Sequence, residues 1–188
     1  VDFVLIPHPT VQSDIPPQDL INFFATAPLD KQFEYPYGVT FNGSMGLITQ
    51  RYMHETGATA EQLAAVTVAL RAWGALDPLS IFYGKPITLD DVINSRMIST
   101  PLKAKECNLL ADGGGAMVVT SRDIAREMSD KAVYKLGHGT RFMSATPMLR
   151  KDVFHRQSYR ESSQDALAQA GLSIHDMDLR QIYGAYPY

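Results

Sequence analysis

The sequence is poor in cysteine: its 188 residues contain one, Cys107. A single cysteine excludes an internal disulfide and a zinc cluster built on cysteines, and it fits a reducing, cytoplasmic setting. The chain also lacks any apolar run near the roughly 20 residues that a membrane-spanning helix needs, so we expect no membrane span. Its 17 basic residues are scattered and the net charge is −3, which argues against a nucleic-acid partner.

Signals for export are missing as well. The chain begins at Val1 rather than methionine, and it shows no basic-then-apolar secretory pattern. We therefore expect a trimmed or partial chain. What is present is 45% apolar and 20% charged, an ordinary globular composition that suffices for one core and is marginal for two domains.

The strongest helix signal begins at Thr59. Thr59 and Gln62 have the spacing of a capping box, in which each side chain satisfies an exposed backbone group at the helix start. The apolar residues that follow have helical spacing and predict one inward face, formed by Leu63, Val66, Leu70 and Trp73. Further helices are predicted over 19–25, 45–56, 88–94, 121–128 and 157–170.

Short strands are predicted where apolar runs are bounded by proline or glycine. The first, over residues 1–6, is expected to end at Pro7 and Pro9. Others are predicted at 116–120, 132–136 and 182–186. Because strands alternate with helices in the second half, the sequence predicts a layered α/β fold.

Three glycines at 113–115 follow Asp112. They lack the spacing of a dinucleotide-binding motif and the lysine of a P-loop, both of which lead into a helix. We therefore expect close backbone packing in the sheet. His138, between two glycines, is expected to be a loop or surface histidine. No zinc-ligand spacing is formed by the other histidines, so no metal site is predicted; these are His8, His54, His155 and His175.

Five motifs in order resemble the thiolase superfamily, especially its sterol-carrier-protein-x and lipid-transfer branch. They are FEYPYG (33–38), RYMHETGATAEQLAAVTVALRAWGALDP (51–78), KPITLDDVINSRMISTPL (85–102), CNLLADGGGAMVVTS (107–121) and ALAQAGLSIHDMDLRQIYGAYPY (166–188). The resemblance implies an α/β, partial thiolase fold, layered α-β-α-β-α, with a helical loop-domain insertion. It divides the chain into an unplaced segment 1–32, a helical loop domain 33–104 over the CoA site, and α/β core elements in 105–188.

The resemblance also implies ping-pong acyl transfer, in which a cysteine at a helix N-terminus attacks an acyl-CoA and oxyanion holes, a histidine and a second cysteine complete the reaction. These residues would lie outside the 188 residues. Cys107 is a tempting substitute, but the matching position in the family is structural. Whether the chain is catalytically active is therefore left open.

Three residues are candidates for CoA binding. Asn108 matches a position where thiolases commonly place serine against the pantetheine arm, and an amide can donate and accept in the same way. The alternative is a turn before a strand. Arg71 and Arg96 are candidates for the CoA phosphates, although solvated or ion-paired arginines are commoner.

Tyr183 is the candidate catalytic residue. It matches the position of the Asn in the NEAF-type motif of classical thiolases, and relatives resembling retro-aldolases of steroid side chains commonly have tyrosine there. A phenol can donate to an oxyanion or act as acid or base. The sequence departs from that branch at Gly184, Tyr186 and Pro187, and the alternative is a core tyrosine with a satisfied hydroxyl.

The predicted function is a thiolase-like enzyme that makes or breaks a carbon–carbon bond beside the carbonyl of an acyl-CoA thioester. It would be a retro-aldol lyase of lipid or steroid side chains, which Tyr183 favours, or a Claisen acyltransferase. The alternative is a non-catalytic acyl-CoA- or lipid-binding or assembly subunit. CoA enters as a thioester substrate, with no covalently bound cofactor. The resemblance implies a small zinc-ribbon/OB-fold partner, and an uncovered sheet face predicts a homodimer or larger assembly.

Overall fold

A computed structural model describes residues 2–26, 30, 32–33, 35–38, 40–143 and 157–188 of the chain. The described residues form two compact units. The first unit comprises residues 2–20, 110–143 and 157–180, and the second comprises the described residues of 21–109 together with 181–188. The expected division at 32/33 and 104/105 stays a prediction.

The chain is a mixture of helices and short strands. In order, the elements are β1 (Phe3–Thr10), α1 (Pro17–Thr26), α2 (Phe41–Thr56), α3 (Ala60–Leu76), α4 (Leu89–Ile93), β2 (Met97–Ser99), β3 (Leu102–Lys103), β4 (Gly113–Thr120), α5 (Arg122–Met128) and α6 (Gln157–Ala170). Short 3₁₀ turns lie at Tyr35–Tyr37, Ala104–Glu106 and Ile174–Asp176. No helix in the described part is long and apolar enough to cross a bilayer.

The first unit contains an antiparallel ribbon of β1 and β4, paired from Phe3 opposite Thr120 to Thr10 opposite Gly113. The prediction that β1 ends before Pro7 is wrong, because the strand continues through both prolines. Pro7 and Pro9 lie two residues apart, so their nitrogens face the same side of the strand. A two-stranded ribbon has one side that donates no ladder hydrogen bond, and proline is tolerated there.

The glycines of β4 differ in how closely they are packed. A Cβ on Gly114 would lie 3.3 Å from the Cα of Pro9, whereas a Cβ on Gly113 or Gly115 would meet nothing within 4 Å. Close backbone packing is therefore confirmed at one of the three. Because all three lie inside the strand, β4 begins earlier than the predicted residue 116.

Asp112 fixes the start of β4 to the end of β1. Its Oδ1 accepts hydrogen bonds from the backbone N–H of Gln12 at 2.6 Å and of Ser13 at 3.0 Å. Hydrogen bonds from Ser13 and Gln12 hold the pKa of the Asp112 carboxyl below its ordinary value, because they stabilise the charged form.

The loop that follows α5 packs tightly on α6. A Cβ on Gly137 would lie 2.1 Å from the carbonyl oxygen of Ala166, and one on Gly139 would lie 2.0 Å from that of Ser162. The backbone N–H of His138 donates to Gln169 Oε1 at 2.8 Å. The two helix carbonyls therefore leave no room for a side chain at either glycine.

Two predicted strands are absent. Residues 132–136 and 182–186 form no ladder with any described strand. Their apolar residues satisfy the sequence pattern of a strand, but a strand also needs a neighbour to receive its hydrogen bonds. Val133 is 97% exposed, so this run has no covering layer in the described part.

Helix ends in the second unit follow the sequence closely. Thr59 and Gln62 form the predicted capping box of α3, and Thr88 forms another with Asp91 at α4. Gly57 ends α2 in the left-handed conformation at φ 71°, which glycine adopts without strain. One core cluster of this unit consists of Met45, Ile48 and Leu102, packed against partly buried groups.

The inward face predicted for α3 is mostly wrong. Leu63 is buried, but Val66 is 42%, Leu70 54% and Trp73 74% exposed. The neighbouring position, Ala64, is fully buried instead. The helix that α3 packs against most is α4. Because α4 has 5 residues and α3 has 17, α4 is too short to cover the whole apolar face.

Candidate functional site

An open cavity of about 330 Å³ lies within the second unit. Its size is at the low end of the range for small-molecule sites. Three stretches form its wall: one face of α3 with the loop behind it, the turn that leaves β3, and the C-terminal stretch. The lining residues are Thr67, Leu70, Arg71, Phe82, Ala104, Lys105, Glu106, Cys107, Asn108, Leu109, Gly184, Ala185, Tyr186 and Pro187.

Arg71 is held against one wall by an aromatic ring. Its guanidinium carbon lies 3.5 Å from the ring centroid of Phe82, a cation–π contact. Its Nη1 donates to the Lys85 carbonyl oxygen at 3.5 Å. Burial lowers the pKa of Arg71, although guanidinium stays protonated in proteins. The contacts fix the position of a cation whose other N–H groups have no hydrogen-bond or ion-pair partner among the described residues and are available to a ligand.

Lys105 is a second cation on the cavity wall, and sequence reasoning did not single it out as a site residue. No ion pair within 4.0 Å involves Lys105 in the described residues. The adjacent carboxyl of Glu106 is buried and accepts the backbone N–H of Lys103 at 2.7 Å, and burial raises the pKa of Glu106. The cavity lining therefore has two basic side chains, Arg71 and Lys105, and one carboxyl, that of Glu106.

Two of the candidates predicted from the sequence are hydrogen-bonded to each other. Asn108 Nδ2 donates to the phenol oxygen of Tyr183 at 2.8 Å, across 75 residues of sequence. Asn108 lines the cavity, and Tyr183 directly precedes the lining stretch at Gly184. Because the phenol oxygen accepts this bond, its hydrogen is free to donate elsewhere. Tyr183 is 77% exposed, unlike the core tyrosine that was the alternative interpretation.

Comparisons with known proteins agree with the sequence motifs. No family model matches the chain. The chain is 37% identical over 145 residues to the 17-hydroxy-3-oxo-4-pregnene-20-carboxyl-CoA lyase of Mycobacterium tuberculosis, covering 77% of this chain and 36% of that protein. It is 30% identical over 163 residues to the benzoylsuccinyl-CoA thiolase subunit BbsB of Thauera aromatica, covering 87% and 42%. The solved Ltp2-ChsH2(DUF35) aldolase matches with a TM-score of 0.82 and 28% identity, covering 99% of this chain and 49% of that one.

The chain is thiolase-like. The predicted resemblance and the partial α/β thiolase fold are confirmed by these relatives. The thiolase-like chain spans between about a third and a half of the length of the relatives it matches.

The only cysteine in the sequence does not provide a thiolase-type nucleophile. Burial, and secondarily the Glu106 carboxylate, raise the pKa of the Cys107 thiol to about 11. A reactive cysteine needs the opposite shift, because the thiolate is the nucleophile. Cys107 packs against Met45, Ile48 and Leu102, in agreement with its predicted structural role.

Tyr186 is a structural tyrosine of this thiolase-like chain and provides a comparison for Tyr183. It is half-buried, and its hydroxyl donates to Asn42 Oδ1 at 2.5 Å. Burial is the main cause that raises the pKa of the Tyr186 phenol. Its ring stacks with that of Tyr188, with centroids 6.5 Å apart. The hydroxyl of Tyr186 is thus satisfied within the core, whereas that of Tyr183 is presented outward.

The remaining candidates are not among the residues that line the cavity. Arg96 is exposed and is absent from the lining; its carbonyl oxygen accepts the backbone N–H of Ala104 at 2.7 Å. His138, in the first unit, is an exposed loop histidine, with Nδ1 3.2 Å from Gln169 Oε1. Among the residues that the structure describes, no group of three His, Cys, Asp or Glu is placed to hold a metal ion. His155 lies outside the described residues.

Proposed function

We propose that this chain is part of an enzyme that makes or breaks a carbon–carbon bond beside the carbonyl of an acyl-CoA thioester. The observation that carries the proposal is the Asn108–Tyr183 hydrogen bond at a cavity that also holds Arg71 and Lys105. The pair brings an outward phenol hydrogen next to a space suited to an anionic ligand. Relatives whose names include a carboxyl-CoA lyase and a CoA thiolase subunit support this chemistry.

The cavity suits one part of CoA better than the whole molecule. Its volume of about 330 Å³ fits a slender arm, so we assign it to pantetheine, with Asn108 contacting an amide of that arm. Arg71 and Lys105 would then meet phosphate oxygens, which form strong charge-assisted hydrogen bonds with both side chains. Arg96 could contribute only from outside the cavity lining.

A retro-aldol cleavage is the version that these residues favour. In that reaction a β-hydroxyacyl thioester loses its hydroxyl proton, the bond between the α and β carbons breaks, and the resulting enolate takes up a proton. The products are a carbonyl compound and a shorter thioester, so no oxidant is required. Tyr183 can supply the proton or stabilise the enolate oxygen by donating to it. Claisen acyl transfer would require a cysteine other than Cys107.

A non-catalytic subunit is the second candidate, and one observation favours it. Apolar side chains on both strands of the β1–β4 ribbon are exposed, including Leu5 at 64% and Val118 at 63%. Such a surface fits association with another protein layer. Assembly as a homodimer or larger and a cytoplasmic location are proposed with either candidate, and a small zinc-ribbon/OB-fold partner is proposed with the lyase. The name of the matched Ltp2-ChsH2(DUF35) aldolase joins two components, which supports a partner.

The test offers the full protein a β-hydroxyacyl-CoA without added CoA and, separately, a β-ketoacyl-CoA with added free CoA, and it follows the products by mass spectrometry. A lyase releases the carbonyl compound and the shorter acyl-CoA without added CoA. We expect Tyr183→Phe to lower kcat by about 100-fold, the scale of general acid–base catalysis. Tyr159→Phe is the matched control, because Tyr159 is an exposed tyrosine in the other unit.

Each result decides between the versions. Cleavage of the β-ketoacyl-CoA by added CoA, with no cleavage of the β-hydroxyacyl-CoA, would establish acyl transfer instead of a lyase. Binding of the thioester without turnover would establish the non-catalytic subunit. Full activity in Tyr183→Phe would remove that residue from the mechanism.

A further inference from the structure

The hydrogen bond between Asn108 and Tyr183 contributes little to folding. It joins two exposed side chains, and a hydrogen bond of this kind exchanges with water at a small net gain. The bond nevertheless fixes the role of the phenol oxygen as an acceptor. Its consequence is therefore the direction of the Tyr183 hydroxyl hydrogen rather than stability.

The Asn108 amide has further hydrogen-bonding capacity on the cavity side. A primary amide has two N–H donors and one acceptor oxygen on a rigid plane. One donor is used by Tyr183, and no other hydrogen bond of this side chain is recorded within the described ranges. The second N–H and Oδ1 are thus available to a group that enters the cavity.

We propose that Asn108 is a positioning residue that couples occupancy of the cavity to the orientation of Tyr183. This inference rests on the proposed function, in which Tyr183 acts on a bound thioester. A ligand that donates an N–H to Oδ1 of Asn108 holds the amide plane with Nδ2 towards the phenol. The phenol oxygen then stays an acceptor, and its hydrogen points to the reacting group. A ligand that lacks this N–H leaves the side-chain amide of Asn108 free to rotate, and the phenol hydrogen of Tyr183 is then no longer directed to the reacting group.

Asn108→Asp tests the coupling because it keeps the shape and removes the donor. The carboxylate accepts where the amide donated, so it takes the phenol hydrogen that the reaction needs. At saturating acyl-CoA we expect kcat to fall at least about tenfold, the scale of one lost charge-directing hydrogen bond, towards the value of Tyr183→Phe. Reading kcat at saturation separates this effect from weaker binding caused by the added negative charge. Asn94→Asp, the same replacement outside the cavity lining, should leave kcat unchanged.

The double variant Asn108→Asp/Tyr183→Phe gives the sharper criterion. If Asn108 acts through Tyr183, the double variant should be no slower than Tyr183→Phe alone, because residues that act as a unit are not additive. A multiplied loss, or a wild-type kcat in Asn108→Asp, would overturn the inference. Neither outcome changes the assignment of Tyr183, which Tyr183→Phe tests alone.

A spectroscopic measurement keeps the inference testable without turnover. In ¹⁵N-labelled protein, the side-chain amide resonances of Asn108 are assigned by their loss in Asn108→Asp. One of its two proton signals should move when Tyr183→Phe removes the acceptor, and addition of CoA should move the other. Unchanged signals in Tyr183→Phe would contradict the hydrogen bond itself, whatever the activity of the protein.

Discussion

Gly139→Ala should destabilise the chain more than any ordinary surface substitution. The new Cβ would lie 2.0 Å from the carbonyl oxygen of Ser162, whereas ordinary contact begins at 3.4 Å. The loop must therefore withdraw from α6 by about 1.4 Å, the difference between the two distances. That movement would also break the 2.8 Å hydrogen bond from His138 to Gln169.

The cost can be estimated from these two losses. Overpacking costs about 1–3 kcal/mol, and the lost hydrogen bond adds about 1 kcal/mol. For a chain of this length each kcal/mol lowers Tm by roughly 2–4 °C, so we expect a decrease of about 5–15 °C in a thermal unfolding scan of the full protein. Gly115→Ala is the matched control, because its Cβ would meet nothing within 4 Å. Equal Tm values for the two variants would refute the close packing of this loop on α6.

Three further predictions follow from charges and burial. Cys107 should react with iodoacetamide slowly at pH 8 and faster only towards pH 11, since burial raises its thiol pKa from 9.0 to about 11; rapid labelling at pH 8 would contradict the raised pKa. Because the thiol has the higher pKa in the folded state, the stability of the fold should fall as pH rises from 9.0 to about 11. Asp112 has a lowered pKa, so its contribution should be complete above the ordinary carboxyl pKa and be lost as pH falls through the lowered value. Asp112→Asn should therefore show less loss of stability on acidification than the wild type; identical acid unfolding would refute the role of its hydrogen bonds. Lys105→Met should weaken CoA binding about 3–10-fold, the scale of one partly exposed charge contact. Lys103→Met, outside the cavity lining, should leave CoA binding unchanged. Calorimetric titration measures the CoA affinity of both variants, and equal affinities would exclude Lys105 from the site.

The sequence predicted best the features that depend on residues close to one another in the chain, which are the ends of the helices. The capping box predicted at Thr59 appears in the structure. The ends of other predicted helices are also set locally, by caps at Thr88 and Ser121 and by glycines at Gly57 and Gly171. Each depends on hydrogen bonds or backbone angles within about four residues. No distant contact is needed to form them.

Features that need a partner elsewhere in the fold were harder to predict. Val66, Leu70 and Trp73 have helical spacing, but spacing alone does not supply an element to cover them. The runs at 132–136 and 182–186 are apolar, but a strand forms only beside another strand. Conversely, Pro7 and Pro9 are strand breakers only where their nitrogens face a partner.

The site was predicted in part. The family resemblance pointed to Asn108, Tyr183 and Arg71, and the structure brings the first two into contact. The resemblance gave no reason to expect the contact between Asn108 and Tyr183, because the two residues are 75 positions apart in the sequence. Lys105 was missed, although its place two residues before the 107–121 motif that contains Asn108 was an available signal.

The ribbon of β1 and β4 has a consequence for how the chain folds. Its strands are joined through the whole interval from Thr10 to Gly113, so pairing them closes a loop of about 100 residues. The length-dependent entropy of that closure is roughly 4 kcal/mol, which makes the ribbon a late event in an unstructured chain. If the helices of residues 41–93 form first through their local caps, the interval is already compact and the closure costs less. The capping residues would then speed the pairing of strands that lie far from them in the sequence.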